Sequence, residues 1–583
     1  MIRSIIGIEC GNKKTVISKI DRNGLSNIPS DSSNREIPSV IVYTEKNRIF
    51  SEQALDRIKA YTNSAIIYPY RLCVQDEYQK GYFLFQYDEK DNMGIINGEK
   101  WYVFQILASY FTYLDQLISK NSEQYVCVIS VPNYFSQKEK YFFQKALQIA
   151  KLPCLKIVEE HMCIAYSYLQ TQKNVLKEQG KKTILFIDLG ETQTSAFIYL
   201  FDNTKGTLLQ IESQKNLGLR DIDRYIYEYL AKKYTYFSKL NKKTYLRVLE
   251  QIEKLRKVLS SNSEANLHIE YITQDEDLDH YFSRKEFENI ISDNFMQDFM
   301  KFLNQFSQQN LNIDEIELIG SGSRIPLILQ KLKEVFQRQY MGIILQNGEQ
   351  ISRGSALVCA LQASQINPFV KIENYKVQSL FTEQDQLIEV FLGQTLKKGE
   401  ALLYKGKELP FFFNIEGELQ GEENSFLSIK FGEIIYKTEV LKGGSQFKVV
   451  GQINECKMLE IEEVLVDFQE VSVENSLIQD SQMIDFIEKE KEMKERDLNF
   501  GDGSRGIFSL FQKEGANKVG EYLNCFNVTN SFSLEIGGNQ LSDSGIKCIF
   551  DGIQKYISLR EFKINLESNL KSKNANNITE KSI

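Results

Sequence analysis

The sequence predicts an α/β domain, then an all-β domain, and last a short α/β tail. Up to about residue 362, short apolar strands alternate with amphipathic helices, which is the pattern of α/β layers. Residues 376–472 instead alternate apolar and polar side chains between glycines, as in Phe426–Phe431, and indicate an antiparallel β-domain. Residues 515–583 contain one strand–turn–helix pattern twice, which predicts a repeat.

Length and composition set the class of protein. The 583 residues are too many for one ordinary domain and predict roughly two to five. With 42% hydrophobic and 25% charged residues, the chain has a globular composition that excludes wholesale disorder. The net charge of −8 disfavours a nucleic-acid partner, because such binders present a basic surface.

Cysteine and histidine usage argues against metal and disulfide frameworks. The nine cysteines are dispersed without a CxxC pair, and the three histidines lie far apart, so neither a zinc site nor a disulfide scaffold is expected. The N-terminal apolar run is interrupted by Glu9, and no apolar stretch reaches the roughly 18–20 residues of a membrane span. We therefore expect a cytoplasmic protein with no membrane partner.

Two short segments share one design. Ile5–Asn12 and Leu185–Thr192 are each an apolar strand that ends in a carboxylate, one further residue and a glycine. Such a turn can aim backbone amides at phosphates, and the carboxylate can hold a hydrated magnesium ion. Either segment alone is equally well an ordinary buried strand that ends at an acid and a glycine. Two copies, each opening one half of the same region, favour a phosphate site.

The segment between these hairpins has the same α/β character. Val126–Pro132 predicts a buried strand that proline closes, and Gln137–Ala150 predicts a helix. Leu155–Val158 then predicts a short strand that leads to Glu159 and Glu160. Strands and helices therefore alternate through this half as well.

Seven segments, in order and spacing, resemble the nucleotide-binding domain of the 70-kDa heat-shock (DnaK-type) chaperones. They cover residues 1 to about 362, and as a set they are specific. They are Ile6–Gly11, Ile37–Ser39, Val131–Phe135, Asp188–Gly190, Leu217–Asp223, Glu253–Ser260 and Gly320–Pro326. The resemblance implies an actin-like, two-lobed α/β fold over residues 1–362, a linker over 363–375 and a β-sandwich substrate-binding domain over 376–472.

The resemblance also implies a binding site for ATP or ADP with magnesium. Glu160 is the candidate catalytic carboxylate and Asp188 the candidate carboxylate on the magnesium side. Glu9 and Asp188 would hold the magnesium ion through water. The implied nucleotide contacts are Gly11, Asn12, Gly190, Thr192, Gly218, Glu253, Arg256, Lys257, Ser260, Gly320, Ser321 and Arg324.

One of these motifs can also be analysed by helical spacing. From Tyr245 to Ser260, apolar residues recur at helical intervals and form one face, whereas Glu253, Arg256, Lys257 and Ser260 form a separate polar face. Without the resemblance, this polar face would be an ordinary solvated surface. With the resemblance, it is expected to contact the adenosine.

The chain departs from the family pattern where phosphate chemistry is performed. The family lysine falls at Tyr70, and Arg71 could replace it only by a local shift. Glu191 interrupts the glycine run of the second hairpin and would repel phosphates by roughly 1 kcal/mol at 4 Å in water or about 4 at an effective dielectric of 20, unless it points outward. His161 and Met162 also stand where the family has a Pro–Thr pair beside Glu160. We therefore expect weak nucleotide binding and doubtful hydrolysis.

These departures resemble the larger, 110-kDa branch of the superfamily. Asn12, the broken glycine run after Asp188 and Asn262 fit that branch, and the linker lacks the leucine-rich run that transmits nucleotide state. The resemblance implies a nucleotide-exchange factor and holdase whose partners are a conventional 70-kDa heat-shock chaperone and unfolded client polypeptides. Residues 473–514 predict a truncated lid helix and linker, broken at Asn499.

The tail resembles leucine-rich repeats. One pattern recurs at an offset of 30 residues, in Phe532, Leu534, Ile536 and Asn539 and again in Phe562, Ile564, Leu566 and Asn569. Fewer than two units are present, although such stacks need three or more to bury a core. The tail therefore docks on the chaperone body, borrows a partner or is incomplete, and an incidental strand–helix tail is the alternative.

Three functions remain open. The leading hypothesis is a divergent chaperone or co-chaperone that binds nucleotide weakly and accelerates ADP release from a partner. The second is a slow ATPase foldase that uses Glu160 and Arg71, whose turnover would be lost on Glu160→Gln. The third is a catalytically inactive adaptor that uses the repeat tail, whose function would survive Glu160→Gln but not truncation at Asn499.

Overall fold

The computed structural model describes most of residues 4–363 and the strands of two further regions. Within 4–363 the exceptions are residues 46, 75–83, 89–92, 123, 275, 308–310 and 346–347. Beyond them, the structure describes 376–378, 388–392, 401–402, 411–418, 427–431, 434–438, most of 445–475, 531–535 and 561–565. The chain divides into two compact units, residues 1–485 and 486–583. The predicted linker after residue 363, the lid helix and the asparagine turns of the tail lie outside the described residues.

The first lobe is built on a six-stranded sheet in which Cys154–Glu159, Tyr125–Val131, Ser4–Cys10, Lys14–Asp21 and Gly24–Asn27 lie side by side in that order, and Glu36–Pro38 also pairs with Lys14–Asp21. Its strands are β1 (Ser4–Cys10), β2 (Lys14–Asp21), β3 (Gly24–Asn27), β4 (Glu36–Pro38), β5 (Val40–Tyr43), β6 (Arg48–Phe50), β7 (Ala65–Ile67), β8 (Gln86–Asp88), β9 (Met93–Ile96), β10 (Glu99–Tyr102), β11 (Tyr125–Val131) and β12 (Cys154–Glu159). Its helices are α1 (Ser51–Arg57), α2 (Val103–Asn121), α3 (Gln137–Ala150), α4 (Glu160–Thr171) and α5 (Lys173–Gln179). β5–β7 and β8–β10 form two smaller three-stranded sheets.

The second lobe repeats the core arrangement of the first. Its strands are β13 (Lys182–Leu189), β14 (Gln193–Asp202), β15 (Lys205–Lys215), β16 (Glu264–Ile269), β17 (Leu278–Ser283), β18 (Glu315–Ile319) and β19 (Lys376–Gln378). Its helices are α6 (Leu219–Lys233), α7 (Lys242–Ser261), α8 (Arg284–Asp293), α9 (Phe295–Ser307) and α10 (Pro326–Phe336), and α11 (Gln350–Ala363) follows. As β1 pairs antiparallel with β2 and parallel with β11, so β13 pairs antiparallel with β14 and parallel with β18.

Strand β1 is buried along its whole length, as expected of a strand covered on both faces. Helix α11 covers one of these faces at Gly7. A Cβ there would lie 2.1 Å from the Ala356 nitrogen and from the Ser352 carbonyl oxygen, so only glycine permits the contact. The Ser18 hydroxyl on β2 adds a hydrogen bond of 2.9 Å to the Ser352 hydroxyl.

The region after the second lobe is an antiparallel β-domain. Its strands are β20 (Ile388–Leu392), β21 (Ala401–Leu402), β22 (Phe411–Glu418), β23 (Leu427–Phe431), β24 (Ile434–Thr438), β25 (Gln446–Ile453), β26 (Leu459–Val466), β27 (Gln469–Glu470) and β28 (Val473–Asn475). They form two sheets, β21-β20-β23-β24-β28 and β22-β25-β26-β27. Buried side chains of both sheets, including Ile415, Ile429 and Val449, share one core, which is the arrangement of a sandwich.

One domain boundary differs from the prediction. We expected the β-domain to begin at residue 376, but β19 pairs parallel with β15, with Lys205 opposite Lys376. The sheet of the second lobe therefore extends to Gln378. The physical reason is that this short segment gains backbone hydrogen bonds at an open sheet edge.

The second unit contributes two described strands, β29 (Ser531–Glu535) and β30 (Glu561–Asn565). They pair in parallel, with Phe532 opposite Phe562 and Leu534 opposite Ile564. The pairing follows the 30-residue offset of the sequence pattern. Among the described helices of the chain, none combines the length and the apolarity needed to cross a bilayer.

Candidate nucleotide cleft

The two predicted hairpins meet. The Asn12 amide, in the turn after β1, donates a hydrogen bond of 2.8 Å to the Thr192 hydroxyl, in the turn after β13, and both side chains are buried. Glu9 and Asp188 are the penultimate residues of their strands, so the equivalent positions of the two lobes converge. The predicted pair of phosphate turns thus forms one site between the lobes.

Three buried carboxyl groups surround this contact. Burial, reinforced by Asp188 and Glu9, raises the pKa of Glu160 well above its usual range. Burial also raises the pKa of Glu9 to about 8 and that of Asp188 to about 6, although the Lys14 ammonium lowers both. A cluster of acids whose ionised forms are disfavoured by burial and by one another is stabilised by an added cation.

Orphaned polar atoms indicate that these residues fit a magnesium nucleotide. Glu9 Oε2, Gln193 Oε1 and Asn133 Nδ2 are buried without a hydrogen-bond partner. Each such atom costs about 1–3 kcal/mol unless a ligand or water satisfies it. Glu9 and Asp188 are the groups that would hold magnesium through its water, and the ion would supply positive charge against the phosphates. In the described part of the chain, no three metal-ligating side chains are grouped for direct coordination.

Glu160 begins α4 and is oriented by Gln193, whose amide donates to Glu160 Oε2 at 2.9 Å. Behind it lies a buried polar network that sequence reasoning missed. Lys140 Nζ lies 2.6 Å from Glu159 Oε1, and His161 Nε2 lies 2.8 Å from Glu159 Oε2. The available signal was that Lys140 shares the apolar face of α3, one turn before buried Phe143.

His161 also connects this network to the second lobe. Its Nδ1 lies 2.8 Å from the hydroxyl of Tyr199 on β14, and its backbone N–H donates to Asn133 Oδ1 at 2.9 Å. His161 therefore fixes the first turn of α4. This turn carries Glu160.

The position of the family lysine is filled by an uncharged, fully buried side chain. Tyr70 lies in the 3-10 helix Pro69–Cys73, and its hydroxyl lies 2.9 Å from the Thr15 hydroxyl. The neighbouring Arg71 is equally buried, donates to Asn216 Oδ1 and lies over the Tyr134 ring at 5.7 Å. These contacts hold the guanidinium in place against the local shift that a replacement of the lysine would need.

Glu191 is held by groups of the protein itself. Its Oε1 lies 3.5 Å from Lys13 Nζ and accepts a hydrogen bond of 3.2 Å from the Tyr68 hydroxyl. The carboxylate is therefore neither directed into solvent nor left without a counter-charge, and Lys13 offsets part of the phosphate repulsion expected from the sequence. Lys13 was not among the predicted site residues.

The predicted adenosine face of α7 is paired within the protein. Arg256 is buried and forms two hydrogen bonds to Asp223, of 2.7 and 3.1 Å, so it does not belong to a solvated face. Glu253 Oε1 lies 2.5 Å from Lys13 Nζ and 2.7 Å from Lys257 Nζ. Although burial opposes it, the attraction of Lys13 and these contacts lowers the pKa of Glu253 to about 2. The Ser260 hydroxyl donates to the Arg256 carbonyl oxygen at 2.9 Å.

At two of the predicted glycine positions, Gly218 and Gly320, the main chain packs so closely against the second hairpin that there is no room for a side chain. Gly320 has a φ of 78°, and a Cβ there would lie 2.4 Å from the Leu189 carbonyl oxygen. A Cβ at Gly218 would lie 2.5 Å from the Glu191 carbonyl oxygen. The Gly190 carbonyl oxygen accepts from the Leu219 amide at 3.0 Å, and that of Gly11 from the Ser39 hydroxyl at 2.9 Å. Ser321 and Arg324, which follow Gly320, are exposed.

The fold has two matching lobes, with paired hairpins and buried carboxyl groups between them. These features define the actin-like class of nucleotide-binding folds. The family model described as "Hsp70 protein" matches residues 5–377. The chain belongs to the Hsp70 family.

Relatives with curated names lie in the same superfamily. The chain is 28% identical to Heat shock 70 kDa protein 16 of Arabidopsis thaliana over 400 residues, which is 65% of this chain and 52% of that protein. It is 27% identical to the 97 kDa heat shock protein of Mesocentrotus franciscanus over 401 residues, 65% of this chain and 45% of the relative. It is 26% identical to a heat shock protein homolog of Saccharomyces cerevisiae over 409 residues, which is 66% of this chain and 59% of that protein. These matches confirm the resemblance to the superfamily and agree with its larger branch.

The chain spans about half the length of these relatives, between 45% and 59%. The family match ends at residue 377 and therefore does not bear on the tail. The activity and partners of the whole protein, and the repeat identity of the tail, are accordingly proposals.

Proposed function

We propose that this chain is a divergent heat-shock co-chaperone that binds ATP or ADP with magnesium weakly in the cleft between its lobes. In this role it accelerates nucleotide exchange on a conventional 70-kDa heat-shock chaperone and holds unfolded client polypeptides against aggregation, in the cytoplasm. Family membership and the relatives of the larger branch support this assignment.

The observation that carries the proposal is the combination of a retained cleft with an altered phosphate site. Glu9, Glu160 and Asp188 keep the carboxyl groups of a magnesium nucleotide site, whereas Tyr70 supplies no charge where the family has a lysine. A nucleotide site that lacks the family's lysine beside the terminal phosphate supports the bound conformation better than hydrolysis. Such a site suits a partner's regulator more than an ATP-driven machine.

The test is a stopped-flow measurement of ADP release from the partner chaperone. The partner is preloaded with fluorescent ADP and mixed with the purified full-length chain in the presence of excess unlabelled nucleotide. We expect release to accelerate at least about tenfold with increasing chain concentration, since exchange factors act by binding the open state of the partner. Bovine serum albumin at the same concentrations is the control. An unchanged release rate, at chain concentrations well above that of the partner, would reject the exchange role.

We also infer a second role, for the tail, from one specific observation. β29 and β30 pair in parallel with Phe532 opposite Phe562, in register with the 30-residue offset of the sequence. Parallel neighbouring strands from successive repeats are typical of leucine-rich repeats. A tail of this kind would present a concave surface to a protein partner, and the chaperone body would then serve as an adaptor.

A further inference from the structure

A cleft that binds phosphates needs positive charge. The described basic residues near its hairpins differ in which groups of the protein they already contact. Tyr70 carries no charge, and Arg71 is buried in contact with Asn216 and Tyr134. Lys14 forms an ion pair with Glu36, whose side chain is 60% exposed, and its charge already lowers the pKa of Glu9 and of Asp188. The remaining cation of the first hairpin is Lys13.

Lys13 lies where both phosphate turns and the adenosine helix meet. It follows Asn12, which contacts Thr192 in the second turn. Its ammonium is 3.5 Å from the Glu191 carboxylate of the second hairpin and 2.5 Å from the Glu253 carboxylate of α7. The side chain is 38% exposed, so a ligand that enters the cleft can reach it.

The ammonium is charged throughout the physiological range. Burial alone would lower the pKa of Lys13, but the charges of Glu191 and Glu253 outweigh burial and raise this pKa above its usual value of 10.5. A lysine side chain is long and flexible and binds phosphate as a point charge, so it can change partners without moving the backbone.

We propose that Lys13 binds the phosphate groups of the nucleotide in this chain, exchanging its contacts with Glu191 and Glu253 for phosphate oxygens. The inference rests on the proposed nucleotide binding and names the residue that performs it. The same exchange leaves Glu253 with Lys257 as its ion-pair partner, on the helix that is expected to contact the adenosine.

The exchange also accounts for weak binding. In the ligand-free cleft, Lys13 stabilises two carboxylates, and phosphates must compete with both for one ammonium. Once Lys13 turns to phosphate, Glu191 remains beside the bound anion with the Tyr68 hydroxyl as its other contact in the cleft. Glu191 therefore opposes the ligand that Lys13 attracts, and the two residues have opposite effects on phosphate affinity.

The experiment is a binding cycle on the full-length chain. Isothermal titration calorimetry measures the dissociation constants of magnesium ADP and of adenosine, which has no phosphate, for the wild type, Lys13→Gln, Glu191→Gln and the double variant. Lys13→Arg keeps the charge and tests recognition by charge alone. Lys120→Gln is the matched control, because it removes an equivalent charge from an exposed ion pair with Asp31 in the same lobe. Circular dichroism establishes that each variant is folded.

We expect Lys13→Gln to weaken ADP binding roughly tenfold or more, as for loss of a hydrogen bond to a charged group, and to change adenosine binding less than about twofold. Glu191→Gln should tighten ADP binding, the double variant should lie between the two single variants, and Lys120→Gln should match the wild type. Even if Lys13→Gln does not fold, tighter ADP binding by Glu191→Gln supports the exchange and unchanged binding contradicts it.

Two results would overturn the inference in distinguishable ways. In the first, the wild type binds ADP, and Lys13→Gln either binds ADP equally well or loses affinity for ADP and adenosine to the same extent. Lys13 then does not recognise phosphate, and the proposed nucleotide binding stands. If the wild type binds neither ADP nor adenosine, nucleotide binding itself is rejected, and the role of Lys13 with it.

Discussion

Single residues in the cleft show which features of the site could be predicted from the sequence. Glu9 and Asp188 are predicted from a local pattern, because each lies at the end of an apolar strand, whereas Glu160 is predicted from the family resemblance. Lys13 was not predicted, because its partners Glu191 and Glu253 are distant in the chain and only the folded lobes bring them within reach. Residues whose role depends on a long-range charge pair leave no periodic signal.

Arg256 illustrates the same limit on a helix. The spacing of apolar residues predicted the buried face of α7, and Val248, Ile252 and Leu255 are indeed buried. The polar face is expected to contact the adenosine, and in the structure Arg256 is paired with Asp223 on α6. Helical periodicity identifies a face, whereas the partner that buries a charged side chain comes from another element.

The pKa of Glu9 leads to a prediction about pH and stability. Because its folded pKa of about 8 lies above the usual 4.5, the native state binds more protons than the unfolded state between these values. Stability therefore falls as pH rises through this window. In the absence of nucleotide, we expect Glu9→Gln to stabilise the chain relative to the wild type by an amount that grows to ~4 kcal/mol near pH 8.

Thermal denaturation at several pH values between about 5 and 8 measures this difference. Glu334→Gln is the control, since Glu334 is a surface residue that contacts Lys331 and Gln330, and its variant should track the wild type. Parallel stability profiles for the wild type and Glu9→Gln would show that the Glu9 carboxyl is not protonated in the native cleft.

At the scale of elements, the start of α4 depends on three others. Lys140 on α3, Glu159 at the end of β12 and Tyr199 on β14 are linked through His161, and this network fixes the turn that carries Glu160. The strand and helix bounds here were predictable from apolar runs and from the proline that ends β11. The polar network was not predictable from the sequence. A lysine on the apolar face of a helix can be identified as buried only when the carboxylate that pairs with it, here Glu159, is known.

Removing the cation of this network should be costly. We expect Lys140→Met to destabilise the chain by roughly 3–5 kcal/mol, because it leaves the buried Glu159 carboxylate without its cation. Urea unfolding measures the change. Lys145→Met on the same helix is the matched control, and adding Glu159→Gln to Lys140→Met should restore part of the loss. Equal effects of Lys140→Met and Lys145→Met would contradict the importance of the buried pair.

At the scale of the whole molecule, the order of domains followed from the sequence because each class of layer has its own period. Alternating strands and helices predicted the α/β lobes, and two-residue alternation predicted the β-domain that forms the core around Ile415 and Val449. The boundary at residue 376 was misplaced because a three-residue edge strand such as β19 is too short to show a period.

The tail leads to a prediction about register. Because Ser533 lies opposite Lys563, the pair Ser533→Cys and Lys563→Cys should form a disulfide under mild oxidation of the full-length chain. The off-register pair Ser533→Cys and Asn565→Cys, two residues further along β30, is the control and should not. Peptide mapping by mass spectrometry identifies the bonds. Cross-linking of the off-register pair alone would exclude a 30-residue repeat, and with it the basis for an adaptor tail.

The contact of Gly7 with Ser352 and Ala356 has a consequence for how the protein is made. Strand β1 leaves the ribosome long before α11, which covers it and which is translated only after β18 and α10 of the second lobe. Throughout that interval β1 and its neighbours expose an apolar surface that no earlier segment covers at this position. A chain that belongs to a family of chaperones thus exposes, in its own nascent state, the kind of apolar surface that makes incomplete chains prone to aggregate.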